Sequence, residues 1–333
     1  MNHHRPARTA PGWIASGWTA ALALSLLLPA GPAAAQVGSA LVVVPWQPGR
    51  AVGATNFFLG QSTETDNAGQ DLDLSRAVSF GRFRLDTDDP RAVSFGWLYD
   101  QLDLRTDDPA LPERLVSTAV AAGMGLGEVV DGWDVGFSAG GGFAGDTPFT
   151  DEDAWFGLAS VYATRRLDER RFLTLLLDYD GSRAFLPDWV LPGFQYTVVE
   201  SPSLRYSVGL PFSNLVYTPD DRWKIDITYF IPLGGEAQID YAIDDRWTAF
   251  GRYSSSQRGY HLDGDNENRR LFFRQDRLEL GARYAPADGW TWTFAGGWAF
   301  GQEFTRGFDT RDDDDVRDVD DAAFFRIGLD LSF

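Results

Sequence analysis

The chain has 333 residues, 44% of them hydrophobic and 14% aromatic, with a formal net charge of −19, three histidines and no cysteine. That charge excludes nucleic acid as a partner, since phosphate binding demands a basic surface. The missing cysteine excludes disulfides, thiolate metal sites and lipoprotein acylation.

The first residues read as a secretory signal. His3, His4, Arg5 and Arg8 make a polar, positive start; Ala20 to Leu28 form a short apolar core; and Pro29 to Ala35 end in Ala33-Ala34-Ala35. Small residues at the third and first positions before the cut are what a signal peptidase requires, and the apolar core is too short for a stop-transfer helix. The expected division is a signal peptide over 1–35, cleaved after Ala35, and one domain over 36–333. Removing Arg5 and Arg8 takes the net charge to about −21. No later stretch is apolar for long enough to cross a bilayer as a helix.

Beyond Ala35 the dominant period is two. Trp133, Val135 and Phe137 oppose Asp134, Gly136 and Ser138; Leu173, Leu175, Leu177 and Tyr179 oppose Thr174, Asp178 and Asp180. Trp223, Ile225, Ile227, Tyr229 and Ile231 oppose Lys224, Asp226 and Thr228, while Leu278, Leu280, Ala282 and Tyr284 oppose Arg277, Glu279, Gly281 and Arg283. Along 290–301, Trp290, Trp292, Phe294, Trp298 and Phe300 share one face, with Thr, Ala and Gly on the other. A soluble sandwich strand would turn those aromatics inward and leave a polar face for water, which a row of Thr, Ala and Gly provides poorly. Bulky apolar side chains toward lipid and small ones toward a lumen fit better. The last strand alternates likewise, with Phe325, Ile327, Leu329, Leu331 and Phe333 on one face and Arg326, Gly328, Asp330 and Ser332 on the other.

The turns repeat. Tyr217-Thr218-Pro219-Asp220-Asp221-Arg222-Trp223, Tyr241-Ala242-Ile243-Asp244-Asp245-Arg246-Trp247 and Tyr284-Ala285-Pro286-Ala287-Asp288-Gly289-Trp290 each set Tyr before and Trp after a short polar turn. Amphipathic aromatics at both edges of a turn are what a membrane–water interface selects, so Tyr217, Trp223, Tyr241, Trp247, Tyr284 and Trp290 form the expected interface girdle. Counting back from Phe333, short turns near 285–289, 244–245, 219–222, 165–170, 127–131 and 86–90 fall at one rim. Loops near 305–321, 255–269, 232–235, 181–193, 145–153 and 106–113 fall at the other. A second repeat, Arg76 to Gly81 and Arg91 to Gly96, flanks the turn at 86–90. The count gives an all-β, single antiparallel transmembrane barrel of about 12–14 strands, with 194–217 hard to divide.

The ending Phe325-x-Ile327-x-Leu329-x-Leu331-x-Phe333 resembles the C-terminal strand of Gram-negative outer-membrane proteins. The resemblance implies outer-membrane location, periplasmic termini, extracellular long loops, and recognition of Phe325, Ile327, Leu329, Leu331 and Phe333 by the barrel-assembly machinery. The Tyr-x-Pro-Asp-Asp-Arg-Trp turns are also similar to a family of outer-membrane barrels of unknown function.

The residues offer little to an enzyme. After the signal segment His261 is the one histidine, set in a polar loop with Asp263 and Asp265, whereas a lipase of this class needs a lipid-facing Ser-His pair and a protease needs paired carboxylates beside a histidine at the barrel mouth. No catalytic residue and no cofactor is expected. Asp263, Asp265, Glu267, Asp312, Asp313, Asp314 and Asp315 are weak candidates for loosely held divalent cations, including ions bridging to lipopolysaccharide phosphates, but they lack the spacing of a calcium loop; the plainer reading is solvated, self-repelling loops. Lys224, Asp226, Arg252, Arg277, Glu279, Arg283, Arg326 and Asp330 point into the lumen. Opposed charges there set the field of a pore or pair off as a plug. A barrel of twelve or more strands leaves an interior that its side chains fill poorly, and this favours a passive channel for small hydrophilic solutes or ions. The alternative is a non-conducting barrel acting in structure, adhesion or partner binding through its acidic loops.

Overall fold

The computed structural model describes residues 49–65, 69–89, 91–230, 234–266, 269–312 and 314–333. The expected signal peptide, Glu267, Asp313 and the side chain of Asp315 lie outside the described residues. The strand segments in chain order are β1 (Val52–Thr65), β2 (Gln70–Arg84), β3 (Ser94–Arg105), β4 (Arg114–Val130), β5 (Trp133–Gly145), β6 (Trp155–Arg166), β7 (Arg171–Asp180), β8 (Leu191–Ser201), β9 (Leu204–Leu210), β10 (Phe212–Tyr217), β11 (Trp223–Phe230), β12 (Gly234–Ala242), β13 (Trp247–Tyr260), β14 (Arg270–Ala287), β15 (Trp290–Gly307), β16 (Asp314–Val319) and β17 (Ala322–Ser332). Each pairs antiparallel with its chain neighbours except at the last stave, where β16 and β17 are consecutive halves that both pair with β15 and with β1. The register Gly53↔Ser332 to Gln61↔Phe324 closes the sheet into a 16-stranded barrel.

The count exceeds the 12–14 read from the sequence because 191–217 forms three staves. β9 and β10 hold only 7 and 6 residues, too few for a period of two to stand out. The expected loop 305–321 is also mostly strand, since β15 runs to Gly307 and β16 starts at Asp314.

The alternation sets which face meets lipid. On β15, Trp292, Phe294 and Trp298 are exposed while Thr293 and Ala299 are buried; on β17, Phe325 and Ile327 are exposed while Phe324 and Arg326 are buried. The apolar band on β15 runs from Trp290 to Phe300, a span that suits a tilted membrane strand. At the rim holding the chain's end, Trp223 meets Tyr241 in a tilted pair at 4.7 Å and Trp247 stacks on Tyr284 at 4.6 Å. The repeated turns share one device: Asp220 Oδ1 accepts from the amides of Arg222 and Trp223, and Asp244 Oδ1 from those of Arg246 and Trp247. These Asx turns hold the Trp at the band's edge.

Above the band the pattern inverts. Leu72, Leu74, Leu102, Leu104, Leu271 and Phe304 turn inward to one buried cluster with Leu59, Leu115, Phe273 and Tyr260, while Asp71, Asp73 and Arg105 face out, exposed. This is the pattern of a water-soluble sheet, so β1–β4 and β13–β16 extend beyond the membrane as an extracellular cap with its own apolar core. A bulge makes it possible on β15. The register slips between Phe300 and Glu303, beside Gly301 at φ +55°, and this brings the even positions Gln302 and Phe304 inward after Trp298 had faced out. The opposite wall is low, with β9 to β12 only 7, 6, 8 and 9 residues long.

β5 and β13 stand eight staves apart in the 16-stranded barrel, yet their upper ends touch. The His261 amide donates to Ala144 O at 2.9 Å and the Asp146 amide to His261 O at 3.2 Å, a bridge centred on Gly145. A Cβ at Gly145 would lie 3.0 Å from the Phe143 ring and 3.1 Å from His261 O, so any larger residue must push these neighbours back for the strands to approach this closely. The mouth is thereby pinched.

Candidate functional site

The barrel interior is the candidate site, and its centre is a layer of charge near the outer edge of the apolar band. Glu279, 1% exposed on β14, accepts from Arg326 Nε and Nη2 at 3.0 and 2.8 Å, and Arg252 Nη2 lies 2.6 Å from its Oε1. Arg252 also reaches Glu236, at 3.8 Å. Asp100, fully buried on β3, accepts from Arg76 Nε and Nη2 at 2.8 and 2.6 Å, and Arg258 crosses the lumen to it at 3.0 Å. Arg277 completes the layer, buried, with its guanidinium 6.0 Å from the Phe324 ring. Its Nε and Nη1 are enclosed and have no hydrogen-bond partner. Five guanidiniums thus meet three carboxylates.

Four of the eight predicted lumen residues, Arg252, Arg277, Glu279 and Arg326, come together here. The others sit nearer the periplasmic rim: Arg283 pairs with Asp240 at 3.0 Å, Lys224 with Asp226 at 3.5 Å, and Asp330 accepts from Thr55 at 2.6 Å. Arg76, Asp100, Arg258 and Glu236 escaped the sequence reading. On β2 and β3 the inward face is apolar (Leu74, Val78, Leu98, Leu102), so the alternation alone gave their charges no direction. Above the layer Gln275 Nε2 donates to Gln302 Oε1 at 2.7 Å and Gln61 Oε1 at 3.1 Å, and Gln61 Nε2 to Gln302 Oε1 at 2.7 Å.

The interior has two characters. One side carries the apolar cluster of the cap, while on the β7–β12 side Thr174, Ser207, Asp226, Gln238 and Asp240 face inward. Above that polar side the segment 181–190 reaches across to the β14–β15 end. Arg270 donates to Ser182 O, Arg183 O and Phe308 O at 3.3, 3.0 and 2.8 Å. The Thr310 amide donates to Ala184 O at 3.0 Å, and the Leu186 amide to Asp309 Oδ2 at 3.2 Å. A further tie joins Arg317 to Asp108, with Nη2 3.0 Å from Oδ1. Wide as the barrel is, its lumen is not open throughout in this conformation, because pinch, cap core and strap close over its upper half.

The loop candidates are engaged locally. The Asp263 amide donates to Asp146, Asp265 lies 3.6 Å from Arg306, and Asp312 Oδ1 accepts the Asp309 amide. Among the described residues no three metal-ligating side chains gather. His261 contributes its backbone to the pinch.

Fold and interior define the class: a closed, antiparallel, 16-stranded transmembrane β-barrel. No protein-family model matches the chain, and no curated protein matches it. Solved structures similar to it include a Pseudomonas aeruginosa FadL homologue (12% identity, 95% of this chain, 97% of that chain, TM-score 0.42). Others are the Pseudomonas putida toluene transporter TodX (9%, 91% and 94%, 0.37) and the β domain of the Bordetella autotransporter BrkA (12%, 85% and 100%, 0.31). At these identities and scores the similarity carries no functional argument.

Proposed function

We propose that the protein is an outer-membrane channel for small hydrophilic solutes or ions, closed at its extracellular mouth in the conformation described, and not an enzyme. The observation that carries this is the charge layer. Ionisable groups enclosed within a membrane protein are costly, and a purely structural plug would balance them, whereas five arginines against three carboxylates leave an excess. The polar β7–β12 side is the path, and the 181–190 strap is its gate. In this reading the signal peptide exports the chain, the terminal strand from Phe325 to Phe333 addresses it to the assembly machinery, and the acidic loops face lipopolysaccharide, with divalent ions as the bridge.

The second reading is a non-conducting barrel, favoured by the apolar cap core. Conductance of the mature chain, refolded and inserted into a planar bilayer across a salt gradient, separates the two. Discrete steps with a measurable reversal potential are expected, interrupted by long closures. Silence from protein that is demonstrably folded overturns the channel and leaves the structural reading.

A further inference from the structure

The excess of charge in the lumen has a chemical consequence. Arg277 is 7% exposed, and among the described residues no carboxylate oxygen lies within 4 Å of it and two of its three guanidinium nitrogens have no hydrogen-bond partner. Its charged neighbours do not settle it, since Arg76, Arg252 and Arg326 repel it while Glu279 and Asp100 attract it only from beyond contact distance. Both nearby carboxylates are already shared, Asp100 by Arg76 and Arg258, and Glu279 by Arg252 and Arg326. A desolvated cation among cations needs a counter-charge. The chain supplies none within the layer, so it comes from outside.

We infer that Arg277 is the core of an anion-binding site in the lumen, completed by Arg76, Arg252, Arg258 and Arg326, and that the ligand is a small anion, an oxyanion such as phosphate or a carboxylate being the best fit to guanidinium donors. Planar, delocalised guanidinium groups bind such oxygens with two parallel hydrogen bonds, and they surrender hydration more readily than an ammonium. The Phe324 ring beneath Arg277 keeps the guanidinium from turning away. This deepens the channel reading by making the permeant class anionic, but the binding itself does not require conduction.

The test uses the mature chain refolded in a zwitterionic detergent, inorganic phosphate as the probe, and sodium fluoride at matched ionic strength as the reference. Phosphate raises the unfolding midpoint of the wild type and does not raise that of Arg277→Met. In fluoride Arg277→Met, freed of an uncompensated cation, unfolds no earlier than the wild type. Arg277→Lys keeps the charge and a weakened phosphate response. An equal phosphate response in wild type and Arg277→Met overturns the site, as does an Arg277→Met protein that is folded yet much less stable in fluoride. Bilayer recordings separate this from the channel reading. A phosphate response in a protein that never conducts leaves the site and removes the channel. Conduction together with an equal phosphate response in wild type and Arg277→Met leaves the channel and removes the site.

Discussion

Replacing Glu279 by Gln probes the charge layer most directly. The side chains are nearly isosteric, so the change opens no cavity and its effect is electrostatic. Glu279 is 1% exposed and holds both Arg326, through two hydrogen bonds, and Arg252, at 2.6 Å. Removing one partner of a buried ion pair typically costs about 3–5 kcal/mol, because the remaining charge is left uncompensated. Part of this is recovered. Arg252 keeps Glu236 at 3.8 Å, and Arg326 sits 5.5 Å from the Phe57 ring and 5.9 Å from that of Phe250, contacts each worth about 1 kcal/mol. A loss of about 2–4 kcal/mol is therefore expected for Glu279→Gln. Glu236→Gln, which loses only the 3.8 Å contact, should cost at most about 1 kcal/mol. Urea unfolding of the refolded barrel in detergent, followed by the fluorescence of its tryptophans, measures both. If the two variants fall together within about 0.5 kcal/mol of wild type, the layer is hydrated and its charges are not confined as argued.

Arg270→Ser removes the donor that ties the strap, through Ser182 O and Arg183 O, to β14 and to Phe308, and should raise open probability in bilayer recordings without lowering the unfolding midpoint much. Because the chain has no cysteine, Ala184→Cys with Thr310→Cys offers a clean lock across the 3.0 Å backbone bond: conductance should fall on oxidation and return with reductant, and unchanged conductance in the oxidised protein refutes the gate. The ties at Asp108 and Asp309 should also be indifferent to pH from 8 to about 5. The hydrogen bond from Arg317 holds the Asp108 carboxyl below its usual range; burial pushes Asp309 up, but hydrogen bonds from the Arg311 side chain and from the Arg311 and Leu186 amides outweigh it and leave it low. A depressed folded value means the ties are intact above the ordinary carboxyl value near 4 and fail as pH falls through the lowered one, so loss of these two ties should add to protease cleavage of 181–190 only below about pH 4. Deleting Phe333 should abolish outer-membrane assembly in cells while sparing refolding in detergent, as judged by heat-modifiable gel mobility. Equal loss in both would make Phe333 a structural residue, through its Trp290 contact at 5.8 Å and its backbone bonds to Val52, and not an address.

The membrane band was legible in the sequence because lipid imposes one simple rule on every strand that crosses it. Trp290 to Phe300 alternate except at Gly296, Phe325 to Phe333 alternate throughout, and the Asx-turn geometry at Asp220 and Asp244 is written into a repeated heptapeptide. The cap was not legible. There the inward residues are Leu72, Leu102 and Phe304, and a strand that is apolar-out below and apolar-in above shows no single period over its length. The switch on β15 rests on one bulge at Gly301, which no alternation pattern announces. Arg76 and Asp100 stand on such mixed strands, which is why half of the charge layer was missed.

The relation between strand number and opening follows from the same elements. A circular 16-stranded wall would leave a wide channel, but the strand count fixes the perimeter and not the shape it encloses. Gly140, Gly141, Gly142 and Gly145 along β5, with Ala119 and Ala121 facing inward on β4, give that wall little thickness, so the opposite strand β13 can approach until His261 bonds to Ala144. A flattened perimeter brings Arg258 within 3.0 Å of Asp100 across what would otherwise be water, and it confines the remaining polar passage to the β7–β12 side. Gly145→Val tests this step, since its side chain would meet His261 O and the Phe143 ring. If the pinch sets the shape, separating β5 from β13 should widen the channel and raise single-channel conductance while the Trp-rich membrane band stays folded. An unchanged conductance in folded Gly145→Val would mean that the strap alone closes the mouth.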